Sequence, residues 1–326
     1  MRIAVAGSIA TDHLFTFDGR FADSLLAEQL ANISLSFLAS DLQVRRGGTG
    51  ANIAFGMGVL GYRPLLVGAV GQDAGDYLDW LGAHGVDTTH VTVSTSRPTG
   101  RFTCTTDRDQ AQLATFYPGA MVEAADIDVT AIDGLDLVVV APDDPGAMLR
   151  HSRSCRERGV AFAADPSQQL AFMDGEAIRE LVRGAAYLFT NEYEAGLVHE
   201  KTGWTEQQVQ GEVAVRVTTL GAKGVRITQQ GEPDVHVPVV PARELAEPTG
   251  VGDGLRAGFL TALAWGLSLE RCAQVGATLA THVVETVGTQ EYAGEGFGLP
   301  ALLARFTETY GEQAAADVAP HLGTPV

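Results

Sequence analysis

The 326-residue chain is short of positive charge, of cysteine and of long apolar runs, and each shortage excludes something. Lys and Arg number 22 against 40 Asp and Glu, a net charge of −18. A surface that acidic repels nucleic acid and anionic lipid, which argues against non-specific binding to either. Any phosphate the protein handles must be held by local devices, backbone N–H groups or a metal, and not by a basic field. The three cysteines, Cys104, Cys155 and Cys272, are odd in number and far apart. They form neither a disulfide framework nor a zinc pattern, which fits a reducing cytoplasm. The longest apolar stretch, around Ala257–Leu267, falls well short of the roughly 18–20 residues that a membrane span needs. The run Ile3–Ala10 stops at Asp12 with one basic residue before it, so it reads as a first strand and not as a signal peptide. The eight histidines include no HxxxH or HExxH pair, so a catalytic zinc site has no support. No GxxxxGK[ST] pattern occurs, which excludes a P-loop kinase. Asn32-Ile33-Ser34 matches a glycosylation acceptor, which carries no meaning in a cytoplasmic protein.

What is present is ordinary globular composition, 45% hydrophobic and 19% charged. The length fits two domains, or one large domain with an elaboration. Ile3–Ala6 and Leu65–Val70 read as buried strands, with a helix over Asn52–Leu60 ending at Gly61 and another near Ala74–Ala83. Strand-like runs at Leu137–Ala141, Val160–Ala164, Ala186–Thr190 and Val213–Leu220 recur with helical segments between them. That rhythm predicts βαβ units and a parallel sheet covered on both faces. A hairpin over Val225–Gln229 and Val235–Val239 follows, then long helices over Val251–Trp265 and Leu269–Glu285. The first is apolar nearly all round and is therefore expected to be buried.

Two early excursions are β-rich. One contains the alternating Ile33–Leu38. The other is a hairpin from Arg101–Thr106 to Ala111–Tyr117, carrying Phe102, Phe116 and Tyr117. The division expected is a large α/β body over 1–12, 47–94 and 119–326, and a small β lid over 13–46 and 95–118. A flap above the carboxyl ends of a parallel sheet is a lid by position, because ligands bind at that edge.

The strongest local signal is Glu247-Pro-Thr-Gly250-Val251-Gly252-Asp253-Gly254. Glycines before a helix allow a tight turn that brings several N–H groups toward one point, and the helix start adds unpaired donors and positive dipole. These make an anion site suited to phosphoryl transfer. A carboxylate there repels a bound anion, so Asp253 needs a reason, and proton abstraction from an attacking hydroxyl supplies one. The bland alternative is an acidic helix cap. The same stretch matches GxGxxA from Gly252 to Ala257, but it follows a loop and puts an acid where pyrophosphate would lie, which argues against a dinucleotide. Asn191-x-x-Glu194 follows a strand at a helix start. An amide oxygen and a carboxylate three residues apart suit water-mediated Mg²⁺, and equally suit an N-cap. Gly47-Gly48-Thr-Gly-Ala-Asn52 reads as a substrate-binding turn and lid hinge. Thr219-Leu-Gly221-Ala-Lys-Gly224 reads as a nucleotide-binding turn or an ordinary tight one. Asp12 at the sheet edge suits sugar hydroxyls or a turn. The aromatic residues suit a planar base or lid packing, and His282 reads as structural.

In this order and spacing the motifs resemble the ribokinase/PfkB family of carbohydrate and nucleoside kinases over essentially the whole chain. Within the family the chain is most similar to bacterial adenosine kinases of actinobacterial type, through Gly7-Ser8-Ile-Ala-Thr-Asp12-His13, Leu35-Ser36-Phe37, Arg101-Phe102-Thr-Cys-Thr-Thr, Phe116-Tyr117-Pro-Gly-Ala and Asp165-Pro-Ser-Gln168-Gln169-Leu170. The resemblance implies a ribokinase-like α/β fold, a mainly parallel sheet flanked by helices with a small β-sheet lid. It implies ATP-dependent phosphorylation of the adenosine 5′-hydroxyl, with Mg²⁺ as cofactor and K⁺ as a further candidate. Asp253 would be the base, and the amides of Gly250, Val251 and Gly252 the anion hole. Asn191 and Glu194 would organise Mg²⁺ and phosphate, and Thr219, Gly221 and Gly224 would line the ATP site. Asp12, Gly48 and Asn52 would hold the ribose, and Ser8, Ser36, Phe102, Phe116, Gln168 and Gln169 the base. The lid strands would join two copies into a homodimer. Two departures stand out. Gly254-Leu255 replaces the family's Ala-Phe, a smaller pair expected to loosen the helix start, and Glu247 replaces an Asp. The rival readings are a sugar or other nucleoside kinase of the same fold, and a non-catalytic nucleoside-binding regulator.

Overall fold

A computed structural model describes residues 1–24, 36–294 and 297–322. The strands in chain order are β1 (Ile3–Ala6), β2 (Ala10–Thr16), β3 (Asp41–Gly47), β4 (Leu65–Gly71), β5 (Asp87–Ser94), β6 (Gly100–Thr106), β7 (Gln112–Tyr117), β8 (Leu137–Val140), β9 (Ala161–Ala164), β10 (Tyr187–Asn191), β11 (Val215–Thr219), β12 (Val225–Gln229) and β13 (Val235–Val237). The helices are α1 (Phe21–Ser24), α2 (Thr49–Val59), α3 (Gly75–Ala83), α4 (Pro145–Arg158), α5 (Gly175–Val182), α6 (Glu192–Thr202), α7 (Glu206–Glu212), α8 (Val251–Ala264), α9 (Leu269–Val284), α10 (Leu299–Tyr310) and α11 (Glu312–Val318).

Nine strands form one sheet in the order β13-β12-β11-β10-β9-β8-β1-β4-β5. From β11 to β5 every pairing is parallel, while β12 and β13 are antiparallel additions. Alternation along each strand feeds two cores. Ile3 and Val5 of β1 pack with α2, α3, α8, α9, α10 and α11, and Ala4 and Ala6 pack on the other face with α4, α5, α6 and α7. The helix ends follow local chemistry. The Asp144 carboxylate caps α4 by accepting from Gly146 and Ala147 N–H, with Pro145 at its first turn, and Gly159 closes it at φ 68°.

The chain leaves β1 to one side through β4 and β5 and returns to the other through β8, so the strand order reverses between β1 and β8. Such a switch point opens a crevice at the carboxyl ends of the strands. Above it stands a second sheet, β3-β2-β6-β7, in which β2 pairs parallel with β6 and the other pairings are antiparallel. It begins at Ala10, inside the segment assigned to the large body by sequence. Of the expected strand over Ile33–Leu38, residues 33–35 lie outside the described residues and 36–38 carry no strand.

α8 and α9 are buried along most of their lengths and cross at very close range. A Cβ at Gly258 would lie 2.7 Å from the Gly276 Cα and 2.8 Å from the Val275 oxygen, so the backbones themselves are in contact. Gly258→Ala should therefore force the helices apart and cost about 1–3 kcal/mol. A lower urea midpoint with an unchanged slope would register this, and an unchanged midpoint would mean that the pair has room to spare.

Candidate active site

A cavity of about 690 Å³ opens at the switch point between the two sheets. It collects Ser8, Asp12, Gly48, Asn52, Phe102, Phe116, Gln168, Gln169, Asn191, Glu194, Thr219, Gly250, Gly252 and Asp253, residues from segments spread along the whole chain. Four of the sequence candidates do not line it: Ser36, Val251, Gly221 and Gly224.

The floor is the start of α8. Gly250 adopts φ 79° at its N-cap, with no side chain capping the first turn. The Val251 N–H is turned back to the Pro248 carbonyl at 3.4 Å. That corrects the expectation of three converging amides, leaving Gly250 and Gly252 as the cavity-facing members. The departure at residue 254 also resolves. The Val283 Cγ2 lies 2.7 Å from where a Gly254 Cβ would stand, and Leu255 is buried, so the helix start is filled and not loosened.

Asp253 faces the cavity and is held from behind. Asn52 Nδ2 donates to its Oδ2 at 2.9 Å, and Asn52 Oδ1 accepts from Gln290 Nε2 at 3.0 Å. Gln290 Nε2 also reaches the Tyr77 hydroxyl at 2.6 Å, its Oε1 accepts from Trp80 Nε1 at 3.0 Å, and Tyr77 donates to the Gly47 carbonyl at 2.8 Å. Every link is buried or nearly so, which fixes the amide of Asn52 and through it the carboxylate. Burial pushes the Asp253 pKa up to about 6, against the pull of Arg256 and the Asn52 hydrogen bond.

The roof is one row of the small sheet. Arg45 pairs with Asp12, Asp12 with Phe102, and Phe102 with Phe116, so the four side chains share a face. Tyr117 pairs with Arg101 one residue along, on the opposite face. Its grouping with Phe102 and Phe116 is thus corrected by strand parity. Burial raises the pKa of Asp12 to about 6, with Arg45 working against it. Arg45 Nη1 donates to Glu247 Oε2 at 2.8 Å, tying lid to body, and Gly288 N–H donates to the same oxygen at 3.0 Å. That oxygen is thus shared by a guanidinium and a backbone amide.

On the opposite side of the cavity, Asn191 and Thr219 are register partners at the ends of β10 and β11. Asn191 and Glu194 form a reciprocal capping box. Asn191 Oδ1 accepts from Glu194 N–H, and Glu194 Oε2 from Asn191 N–H, each at 2.8 Å. The capping alternative is therefore realised, yet both residues line the cavity, and among the described residues the second carboxylate oxygen of Glu194 has no hydrogen-bond partner. Among the described residues no three His, Cys, Asp or Glu side chains cluster as a metal site. The arrangement fits Mg²⁺ carried chiefly by phosphate oxygens and water, with Glu194 beside it. Gly224 answers a backbone requirement of the turn: at φ 96° its Cβ would lie 2.0 Å from the Val237 oxygen. Gly221 borders open space, and Ser36 is exposed outside the cavity.

Gln169 Nε2 donates to the Asp143 carbonyl at 2.8 Å, which fixes its amide and leaves Oε1 as an acceptor. Gln168 Oε1 accepts from Ser167 Oγ at 2.8 Å, and Ser167 holds φ 43°, a strained value for a residue with a Cβ. The sequence reading missed Ser167, Phe172, Thr249, Arg256 and Thr289, all of which line the cavity. Arg256 carried a signal, a cation inside the glycine motif. Thr289 and Gln290 carried none, because their partners are more than 200 positions away.

A model of the pfkB family carbohydrate kinases matches residues 24–293. The chain belongs to the pfkB family. A nucleoside kinase of Burkholderia thailandensis, solved with inosine, superposes with a TM-score of 0.83 at 30% identity, covering 95% of this chain and 99% of that one. A nucleoside kinase of Methanothermobacter thermautotrophicus is 30% identical over 253 residues, 75% of this chain and 80% of its own. One from Methanocaldococcus jannaschii is 26% identical over 291 residues, 89% of this chain and 92% of its own. The fold is thus ribokinase-like, as the motifs implied, and among the described residues no helix is long and apolar enough to cross a membrane.

Beneath the cavity wall, Asp143 is 2% exposed and burial pushes its pKa up to about 8. A carboxyl raised in the folded state contributes stability at pH values below its ordinary 3.8, and that contribution is lost as pH climbs to about 8. Asp143→Asn should flatten the fall in thermal midpoint across this window. A variant with the parent's slope would show that Asp143 ionises freely in the folded protein.

Proposed function

We propose that this pfkB-family protein is an ATP:nucleoside 5′-phosphotransferase that converts adenosine to AMP with release of ADP. The observation that carries the reading is a carboxylate, Asp253, held by Asn52 at an uncapped helix start and facing a cavity roofed by two aromatic rings. The nucleoside kinases among its relatives support a base-bearing substrate over a free sugar.

In this reading Asp12, Gly48 and Asn52 hold the ribose. Ser8, Phe102, Phe116, Gln168 and Gln169 surround the base, and Ser36 joins them from the lid. The free Oε1 of Gln169 suits the 6-amino group of adenine. ATP lies along Asn191 and Thr219, with Gly221 and Gly224 on the turn beyond. Asp253 takes the proton of the 5′-hydroxyl as its oxygen bonds to the γ-phosphorus, and the bond from that phosphorus to the β,γ-bridging oxygen breaks to leave ADP. The amides of Gly250 and Gly252 face the charge that develops. Mg²⁺, when bound, offsets charge on the phosphate oxygens. Closure of the lid, taken as 13–46 and 95–118, excludes water and suppresses ATP hydrolysis. The fully exposed edge strand β7 supports a homodimer joined through lid strands. Three buried free cysteines support a cytoplasmic location.

Inosine is the second substrate reading, favoured by the Burkholderia complex. A coupled assay over adenosine, inosine, ribose and fructose 6-phosphate decides between them. Tight nucleoside binding with no ADP release from MgATP would instead mark a non-catalytic regulator. Asp253→Asn should lower kcat by about 10²–10⁴ while nucleoside binding survives. For the parent, kcat/KM should fall as pH drops through about 6, where the carboxylate becomes protonated. Near-parent turnover in that variant would remove Asp253 as the base. Asp12→Ala should raise KM for the nucleoside far more than for ATP, and the reverse pattern would exchange the two subsites.

A further inference from the structure

Among the described residues Arg256 is the one Lys or Arg that lines the cavity, and it sits three residues after Asp253 on the first turns of α8. A cation there opposes the positive end of the helix dipole, and burying it adds a desolvation cost. Its residue is 6% exposed. The compensation comes from Asp165, fully buried at the end of β9. Arg256 Nη2 donates to Asp165 Oδ1 at 2.6 Å, and Nε lies 2.5 Å from Oδ2. The Phe189 ring centre lies 5.8 Å from Cζ on the sheet side. The third nitrogen is left over. Nη1 makes no hydrogen bond to any described residue and no ion pair with Asp253. It stands 2.8 Å from where a Cβ on Gly252 would be, and both residues line the cavity. A side chain at 252 would collide with it, so the glycine makes room for the guanidinium as well as for a ligand.

We propose that Arg256 is a catalytic residue whose Nη1 grips an equatorial oxygen of the phosphoryl group in transit, and that Asp165 is a positioning residue that fixes the plane of the guanidinium. This rests on the phosphotransferase reading above. As the bond from O5′ to phosphorus forms and the bond to the ADP oxygen breaks, the proton goes to Asp253 and the electron pair to ADP. Arg256 changes neither count; it donates a hydrogen bond where the amides of Gly250 and Gly252 are the other cavity-facing donors. Asp165 holds Nη2 by a hydrogen bond and faces Nε as an ion pair without one, which restrains the guanidinium and leaves Nη1 without a partner among the described residues.

The test compares the full-length parent with Arg256→Met, Arg256→Lys and Asp165→Asn. It measures steady-state kinetics with MgATP and titration calorimetry of MgADP with nucleoside, each with and without aluminium fluoride as a mimic of the transferred group. Arg256→Met should lower kcat by about 10²–10³, the cost of one such donor, with the nucleoside KM nearly unchanged. The fluoride-dependent gain in ADP affinity should vanish while ADP affinity without fluoride persists; a merely structural lesion weakens both alike. Arg256→Lys, which keeps the charge without the fork, tests the same point if the Met variant does not fold, and should also lose the fluoride gain. Asp165→Asn should reduce the gain in part. Parent-like kcat in the Met or Lys variant, or a fluoride gain retained in either, overturns the proposal. The fluoride arm does not depend on which alcohol accepts the phosphoryl group. A parent that shows the gain but phosphorylates no nucleoside therefore refutes the substrate reading and not the role of Arg256.

Discussion

One hydrogen bond, from Asn52 to Asp253, joins residues 201 positions apart at the centre of the site. Asn52 lies on the first helix after the lid hinge, and Asp253 on the helix that carries the glycine cradle. The two helices are pressed together where a Cβ on Gly56 would stand 2.6 Å from the Ala257 Cβ. A loose contact would let the amide swing and the carboxylate turn to whatever cation is near. Close packing converts a flexible acid into one with a fixed direction, and burial then sets the pH at which it loses its proton.

Around that bond the charges are disposed with economy. Asp12, Glu194 and Asp253 line the cavity, and Arg256, paired with Asp165 behind it, is their counterweight. A protein of net charge −18 cannot gather ATP through its long-range field. On the proposed reading, selectivity for the anion would come from contact distance: the uncapped start of α8, one guanidinium edge, and a metal arriving with the phosphates.

Much of this was legible in the chain itself. The glycine run with Asp253, the Asn191–Glu194 pair at a strand end and the βαβ rhythm each depend on neighbours in sequence, and local chemistry is what a sequence displays. The Asn191–Glu194 pair had two readings, and the structure shows the capping one in place at the cavity wall. What was not legible depends on distant partners. Gln290 behind Asn52, Asp165 behind Arg256 and Arg45 on Glu247 are unions across 238, 91 and 202 positions, set by packing alone. Tyr117 was misgrouped for a different reason. Adjacency to Phe116 suggests a shared task, whereas the pleat sends neighbours to opposite faces. The backbone constraint on Gly224 is hidden too, because a tight turn and a phosphate loop look alike in sequence until the crossing carbonyl of Val237 is seen.

The roof depends on counting by twos. Phe102 and Phe116 look down only because β6 and β7 keep their register with β2, in which Asp12 also looks down. Exchanging one ring for another reshapes the pocket while leaving its polarity intact. Adding or deleting a single residue upstream in either strand would invert that strand, bringing Arg101 and Thr103 of β6, or Thr115 and Tyr117 of β7, below and sending Phe102 or Phe116 to the other face. If the roof meets a ligand as proposed, its specificity is open to drift by substitution and closed to drift by insertion, so diversification among such proteins should concentrate in side-chain identity here and in length elsewhere.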